Sequence, residues 1–91
     1  MQTVRWSDEA TTDLVEIIDY IEQRSPKAAH DLHAAIVQSA ENLPLMPYLF
    51  RPGRVPGTRE HVVHPNYIVV YLVGGDVIDI LRVLHSRQQY P

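Results

Sequence analysis

The sequence predicts an α+β domain in the order β-α-α-β-β-β, with a helical hairpin packed on a small antiparallel sheet. Two patterns carry that reading. Apolar residues recur at helical spacing through the first half. In the second half, β-branched and aromatic residues cluster in runs broken by Gly, Pro and Asn. Ninety-one residues, 45% apolar and 21% charged, suit one domain, residues 1–91, with one modest core.

Thr3 to Trp6 reads as a short strand. Ser7 is placed to cap a helix, and Asp8 and Glu9 suit the positive first turn. Ala10, Leu14, Ile17, Ile18 and Ile21 form one helical stripe. Ser25-Pro26 ends this helix and opens the next, with Ser25 as cap and Pro26 at the first position. Ala29, Leu32, Ile36, Ala40 and Leu43 make the second stripe, and Pro44 and Pro47 close it. So short a turn predicts an antiparallel helix pair.

A long loop follows over residues 44–58, stiffened by proline. Arg59 to His64 alternates as a strand, Pro65-Asn66 is a turn, and Tyr67 to Val73 is the next strand. Gly74-Gly75 signals a two-residue hairpin leading to a last strand, Val77 to Leu84. Both long strands are apolar on both faces, and a helix pair covers only one. The other face is a partner surface, unless the long loop and the tail cover it.

Composition excludes several function classes. There is no cysteine, so disulfides and thiolate metal sites are out. No apolar run approaches a membrane span, and the start lacks a secretion signal, so the cytoplasm is the expected compartment. A net charge of −3 argues against binding nucleic acid by bulk electrostatics. The acids concentrate before residue 50, whereas Arg51, Arg54, Arg59, Arg82 and Arg87 are the bases after it.

His61, His64 and His85 match no zinc spacing, and three residues put His61 and His64 on opposite faces of a regular strand. His30 and His33 read as solvated. No metal or cofactor is expected. Gly53-Arg-Val-Pro-Gly57 is too short for a phosphate loop. His85, Arg87 and Tyr90 could cleave a phosphodiester, with His85 as base or acid, Arg87 stabilising charge and Tyr90 stacking. The competing reading makes His85 a cap on the end of a buried strand. An internal ion pair is the simple reading of Arg59-Glu60.

Trp6-Ser-Asp-Glu-Ala10, Asp13-Leu14, Ile17-Ile-Asp-Tyr-Ile21, Ala28-Ala29 and Ile36 stand in order along the chain. Gly53-Arg-Val-Pro-Gly-Thr-Arg-Glu60, Tyr67-Ile-Val-Val-Tyr71 and Ile80-Leu-Arg-Val-Leu-His85 follow. In this order and spacing the chain resembles, over nearly its whole length, the RelE/ParE superfamily of type II toxin–antitoxin toxins. The resemblance implies a growth-inhibiting toxin, of the kind that stabilises plasmids. It also implies a cognate antitoxin whose C-terminal segment wraps the toxin, as a heterodimer or a heterotetramer.

Within that superfamily, RelE-like members cut messenger RNA on the ribosome, and ParE-like members inhibit DNA gyrase without an established catalytic site. Nuclease members often carry arginine where this chain has Ile68, and some carry lysines near Arg59 and His61. Arg87 and Tyr90 match the places of a nuclease arginine and terminal aromatic; histidine at the place of His85 occurs in both branches. Acidity and Ile68 favour the ParE-like side. The alternatives are an endoribonuclease using His85, Arg87 and Tyr90 with Arg59, and a non-toxic scaffold for an antitoxin repressor. The antitoxin is expected to cover Val69, Tyr71 or their neighbours with an apolar segment and to pair its acids with arginines such as Arg54, Arg59 and Arg82.

Overall fold

Ser7 joins the first strand to the first helix and fixes both. In the computed structural model, which describes residues 2–90, β1 (Thr3–Trp6) ends just before it and α1 (Asp8–Glu22) begins just after. The Ser7 hydroxyl accepts from the Ala10 amide at 3.0 Å, closing the helix N-terminus, and donates to the Leu81 carbonyl at 2.9 Å. Ser25 caps α2 (Pro26–Glu41) in the same way, accepting from the Ala28 amide at 3.1 Å with Pro26 at the first position. A single 3-10 turn, Leu43–Leu45, ends the helical half.

The rest is sheet: β2 (Arg51–Pro52), β3 (Arg59–His64), β4 (Tyr67–Val73) and β5 (Val77–His85). The five strands lie in the order β1-β5-β4-β3-β2. The expected α+β architecture is present, with two refinements. The β1 strand runs parallel to β5, Thr3 opposite Val77 and Trp6 opposite Ile80, so the sheet is mixed. The long loop also contributes a strand, because Arg51 and Pro52 pair with Glu60 and Arg59.

The loop between them is tightly closed. Gly53 donates to the Thr58 carbonyl at 2.8 Å and Thr58 to that of Val55 at 3.1 Å. Val55-Pro56-Gly57-Thr58 makes the turn, and Gly57 adopts φ 88°, a conformation open to glycine. The β4–β5 hairpin turns one residue later than the sequence suggests. Gly74 donates to the Val77 carbonyl at 2.9 Å, which leaves Gly75 and Asp76 as the two turn residues.

The helix-facing side of the sheet holds the main core. Val69, Tyr71, Ile78, Ile80 and Val83 meet Ala10, Leu14, Leu32, Ile36 and Ala40 there, all buried. Ile17, Ile18 and Ile21 are half-buried around it. The Tyr71 hydroxyl stays satisfied inside by donating to the Pro47 carbonyl at 2.8 Å. Burial raises the Tyr71 pKa, and the nearby Arg59 cation opposes the shift.

The opposite side is covered in part. Ile68, Val70 and Leu84 form a second, smaller cluster, sealed by Tyr90 from the tail. The tail therefore covers part of the surplus apolar face, while Val62 and Leu72 on the same side stay exposed.

Two register shifts decide where side chains point. One falls between Val62 and His64 on β3. It returns His64, opposite Tyr67, to the side of the sheet on which His61 lies opposite Val69. The expectation that His61 and His64 occupy opposite faces is thus overturned by a bulge. The other shift leaves Leu81 unpaired on β5, between Ile80 opposite Tyr71 and Arg82 opposite Val70.

Candidate functional site

The end of β5 is where chemistry was expected, and its groups are held by specific bonds. The His85 Nδ1 accepts from the Arg87 amide at 3.1 Å, so in the neutral ring Nδ1 is the acceptor and Nε2 bears the hydrogen. The His85 amide donates to the Gln88 Oε1 at 3.4 Å, and the Gln88 amide returns a bond to the His85 carbonyl at 2.9 Å. The imidazole meets the Tyr67 ring edge-on at 5.6 Å. His64 repeats the arrangement on the other flank of Tyr67, at 5.7 Å, its Nδ1 accepting from the Asn66 amide at 3.0 Å. Each histidine spends its acceptor nitrogen on closing a turn. Such a ring offers a donor, not a general base.

The remaining candidates diverge. Arg87 is exposed, and no ion pair joins it to another described residue. Tyr90 turns onto the far side of the sheet, where its hydroxyl donates to Glu60. Arg59 lies opposite Tyr71 and His85 opposite Tyr67, four residues apart along β4, or about 13 Å. The Arg59 guanidinium donates to the carbonyls of Tyr48 at 3.2 Å and Phe50 at 2.8 Å and sits 5.1 Å from the Tyr48 ring. His85, Arg87, Tyr90 and Arg59 do not converge on one point.

The expected antitoxin contacts also need correction. Val69 and Tyr71 are 0% exposed, enclosed between the sheet and the helices, so neither side chain is available to a partner. Alternation alone did not say which apolar face the helices take.

Arg54 and Arg82 are committed inside the chain. Arg54 lies 3.8 Å from the Glu60 carboxylate, 4.6 Å from the Tyr90 ring, and donates to the Gln88 carbonyl at 3.0 Å. Arg82 grips Asp13 through two bonds, 2.8 and 3.1 Å. That contact raises the Arg82 pKa above its ordinary value.

Asp13 is a residue that sequence reasoning missed, and the internal ion pair expected between Arg59 and Glu60 forms instead from Glu60 to Arg51 and Arg54. Glu60 is 3% exposed and collects Arg51 at 2.9 Å, Arg54 and Tyr90. Three donors offset the cost of burying a carboxylate. Its signal was a lone acid inside a β-run with arginines just upstream. Asp13 binds the Val83 amide at 2.9 Å as well as Arg82, tying α1 to the edge of β5. Nothing local marks it among the acids of α1.

A cleft of about 370 Å³ opens between α1 and the end of the sheet. Its walls are Glu16, Ile17, Tyr20, Tyr67, Val83 and His85, with the Asp13–Arg82 pair beside them. A second groove of about 360 Å³, more apolar, lies along Val55, Val70, Leu81 and Tyr90 on the far side. Among the described residues no group of three or more His, Asp or Glu is placed to hold a metal ion. No described helix is long and apolar enough to cross a membrane.

Known proteins share this pattern along nearly the whole chain. The Y4kP protein of Sinorhizobium fredii is 40% identical over 89 residues, 97% of this chain and 92% of that protein. Toxin RelE2 of Caulobacter vibrioides is 35% identical over 90 residues, 97% of this chain and 99% of that one. Among solved structures, the chromosomal ParDE toxin–antitoxin system from P. aeruginosa superposes with a TM-score of 0.84. It is 27% identical, and the match covers 93% of this chain and 96% of that one. Residues 4–90 match a family described as the ParE toxin of the type II toxin-antitoxin system parDE. With that match, and with a relative named RelE2, the chain belongs to the ParE toxin family of the RelE/ParE superfamily, as the toxin of a type II toxin–antitoxin system.

Proposed function

We propose that this toxin acts by protein–protein contact, with DNA gyrase as its target, and that it does not cut RNA. The observation that carries the reading is the dispersal of the nuclease candidates. His85 offers no free acceptor nitrogen, Tyr90 is tied to Glu60, and Arg59 serves backbone carbonyls about 13 Å along β4. A phosphodiester in the cleft beside His85 would meet the carboxylate of Glu16 and the Asp13–Arg82 pair, with no concentrated positive field. The match to a ParE family supports gyrase as the target, and the ParDE structure supports a protein antitoxin as the neutralising partner.

Two assays decide it. Purified toxin should block gyrase supercoiling at a concentration that leaves ribosome-bound message intact. Neutralisation by the antitoxin encoded with it should restore supercoiling. Cleaved message with untouched supercoiling, abolished by His85→Ala, would establish the RelE-like reading instead.

A further inference from the structure

Among the described residues, five of the chain's eight lysines and arginines pair with a carboxylate. Arg5 pairs with Asp79, Lys27 with Asp31, Arg51 and Arg54 with Glu60, and Arg82 with Asp13. The carboxylates of Glu16, Asp19 and Glu22 stand exposed along α1, and no ion pair joins them to a described residue. The free surface along this face of α1 is mainly acidic, with Arg24 at its end stacked on Tyr20.

Tyrosines tell the complementary story. Of five in the chain, three carry an arginine on the ring. Arg24 lies 4.9 Å from Tyr20, Arg59 5.1 Å from Tyr48, and Arg54 4.6 Å from Tyr90. Tyr71 is buried with its hydroxyl bonded to Pro47. Tyr67 is the fifth; no cation stacks on it among the described residues, and it lines the open cleft.

The cleft is built for such a cation. Asp13, Glu16, Ile17 and Tyr20 are spaced i, i+3, i+4 and i+7 along α1, so one helix face forms a wall. Ile17 and Val83 supply apolar surface for an aliphatic stem. Tyr67 supplies the open ring, and Glu16 supplies charge at the rim. Arg82 adds little positive field there, because two bonds to Asp13 neutralise it. A phosphate would find carboxylates in this cleft, whereas a guanidinium finds both of its usual partners.

We infer that this cleft receives an arginine side chain from the protein partner, the antitoxin in the reading above, seating the stem on Ile17 and Val83 and the guanidinium between Tyr67 and Glu16. This rests on the toxin–antitoxin reading for the identity of the partner only; the receptor itself is a property of the chain.

The first test uses a small probe. N-acetyl-arginine amide is titrated into the isotope-labelled toxin and followed by amide NMR. Shifts should localise to residues around Ile17, Tyr20, Val83 and His85 and saturate. N-acetyl-citrulline amide, the neutral isostere, should bind about fivefold or more weaker, and Glu16→Gln and Tyr67→Leu should each weaken the arginine probe by a similar factor. Equal binding of both probes, shifts scattered over the surface, or localised shifts with inorganic phosphate instead would overturn the inference. The second test titrates the co-encoded antitoxin into wild-type and Glu16→Gln toxin. About fivefold weaker binding supports the assignment. Unchanged binding, with the antitoxin still neutralising, overturns it while leaving the toxin reading standing. A failure to inhibit gyrase touches only that reading.

Discussion

Tyr90 donates its hydroxyl to Glu60, a carboxylate 30 residues upstream that is 3% exposed. That bond fastens the tail to the turn-rich loop and closes Ile68, Val70 and Leu84 against solvent. Loop, strand and tail thus share one buried charge.

Glu60→Ala should cost about 3 kcal/mol, because Arg51, Arg54 and Tyr90 all lose their acceptor. Tyr90→Phe removes one hydrogen bond and keeps the ring over the apolar cluster, so it should cost about 1 kcal/mol. Urea unfolding of the variants measures both. A cost for Glu60→Ala no larger than for Tyr90→Phe would show that the arginines are not held by this acid.

Asp13→Ala strips the bidentate partner from Arg82 and the acceptor from the Val83 amide. We expect a loss of about 2–3 kcal/mol. Amide exchange should also quicken at Val83 ahead of the rest of β5. Arg82→Lys should recover little, since ammonium cannot reproduce the two parallel bonds.

His61 stacks on Phe50 with ring centroids 3.6 Å apart, and burial lowers its pKa. The folded state therefore prefers the neutral ring more than the unfolded chain does. Its contribution is whole above the unfolded value of about 6.5 and is lost as pH falls through the lower folded value. Stability should decline across that interval in wild type. The decline should be shallower in His61→Gln, by unfolding curves collected from pH 7.5 to 4.5.

Gly57→Ala places a side chain at φ 88°, a conformation that costs an L residue about 1–2 kcal/mol. There is room for the methyl, with the nearest Leu72 carbon 3.9 Å away, so the cost is conformational alone. Gly53→Ala differs, because its Cβ would collide with the Thr58 hydroxyl, which is itself bonded to the Val55 carbonyl. Thermal midpoints should therefore fall further for Gly53→Ala.

Much of the fold was legible in local chemistry. Ser7 and Ser25 are caps with mechanisms, and the stripes of α1 and α2 name their buried faces. Bulges carry no comparable signature. Val62-Val63 and Leu81-Arg82 read as regular strand, yet they reset which face His64 and Arg82 take. The family was readable from order and spacing along the chain. The candidate site was less so, because His85, Arg87 and Tyr90 are close in sequence while the tail turns Tyr90 to the far side. Which arginines are committed inside the chain depends on Glu60 and Asp13, whose partners are distant in sequence or across a loop.

The sheet ends in a short strand at each of its two borders. On one side β2 is two residues long, and Pro52 has no amide hydrogen to offer. On the other, β1 stops at Trp6, and helix-borne groups take over the β5 backbone: Ser7 at Ile80 and Leu81, Asp13 at Val83. Both border strands are short, four residues in β1 and two in β2, which limits edge-to-edge pairing with another copy.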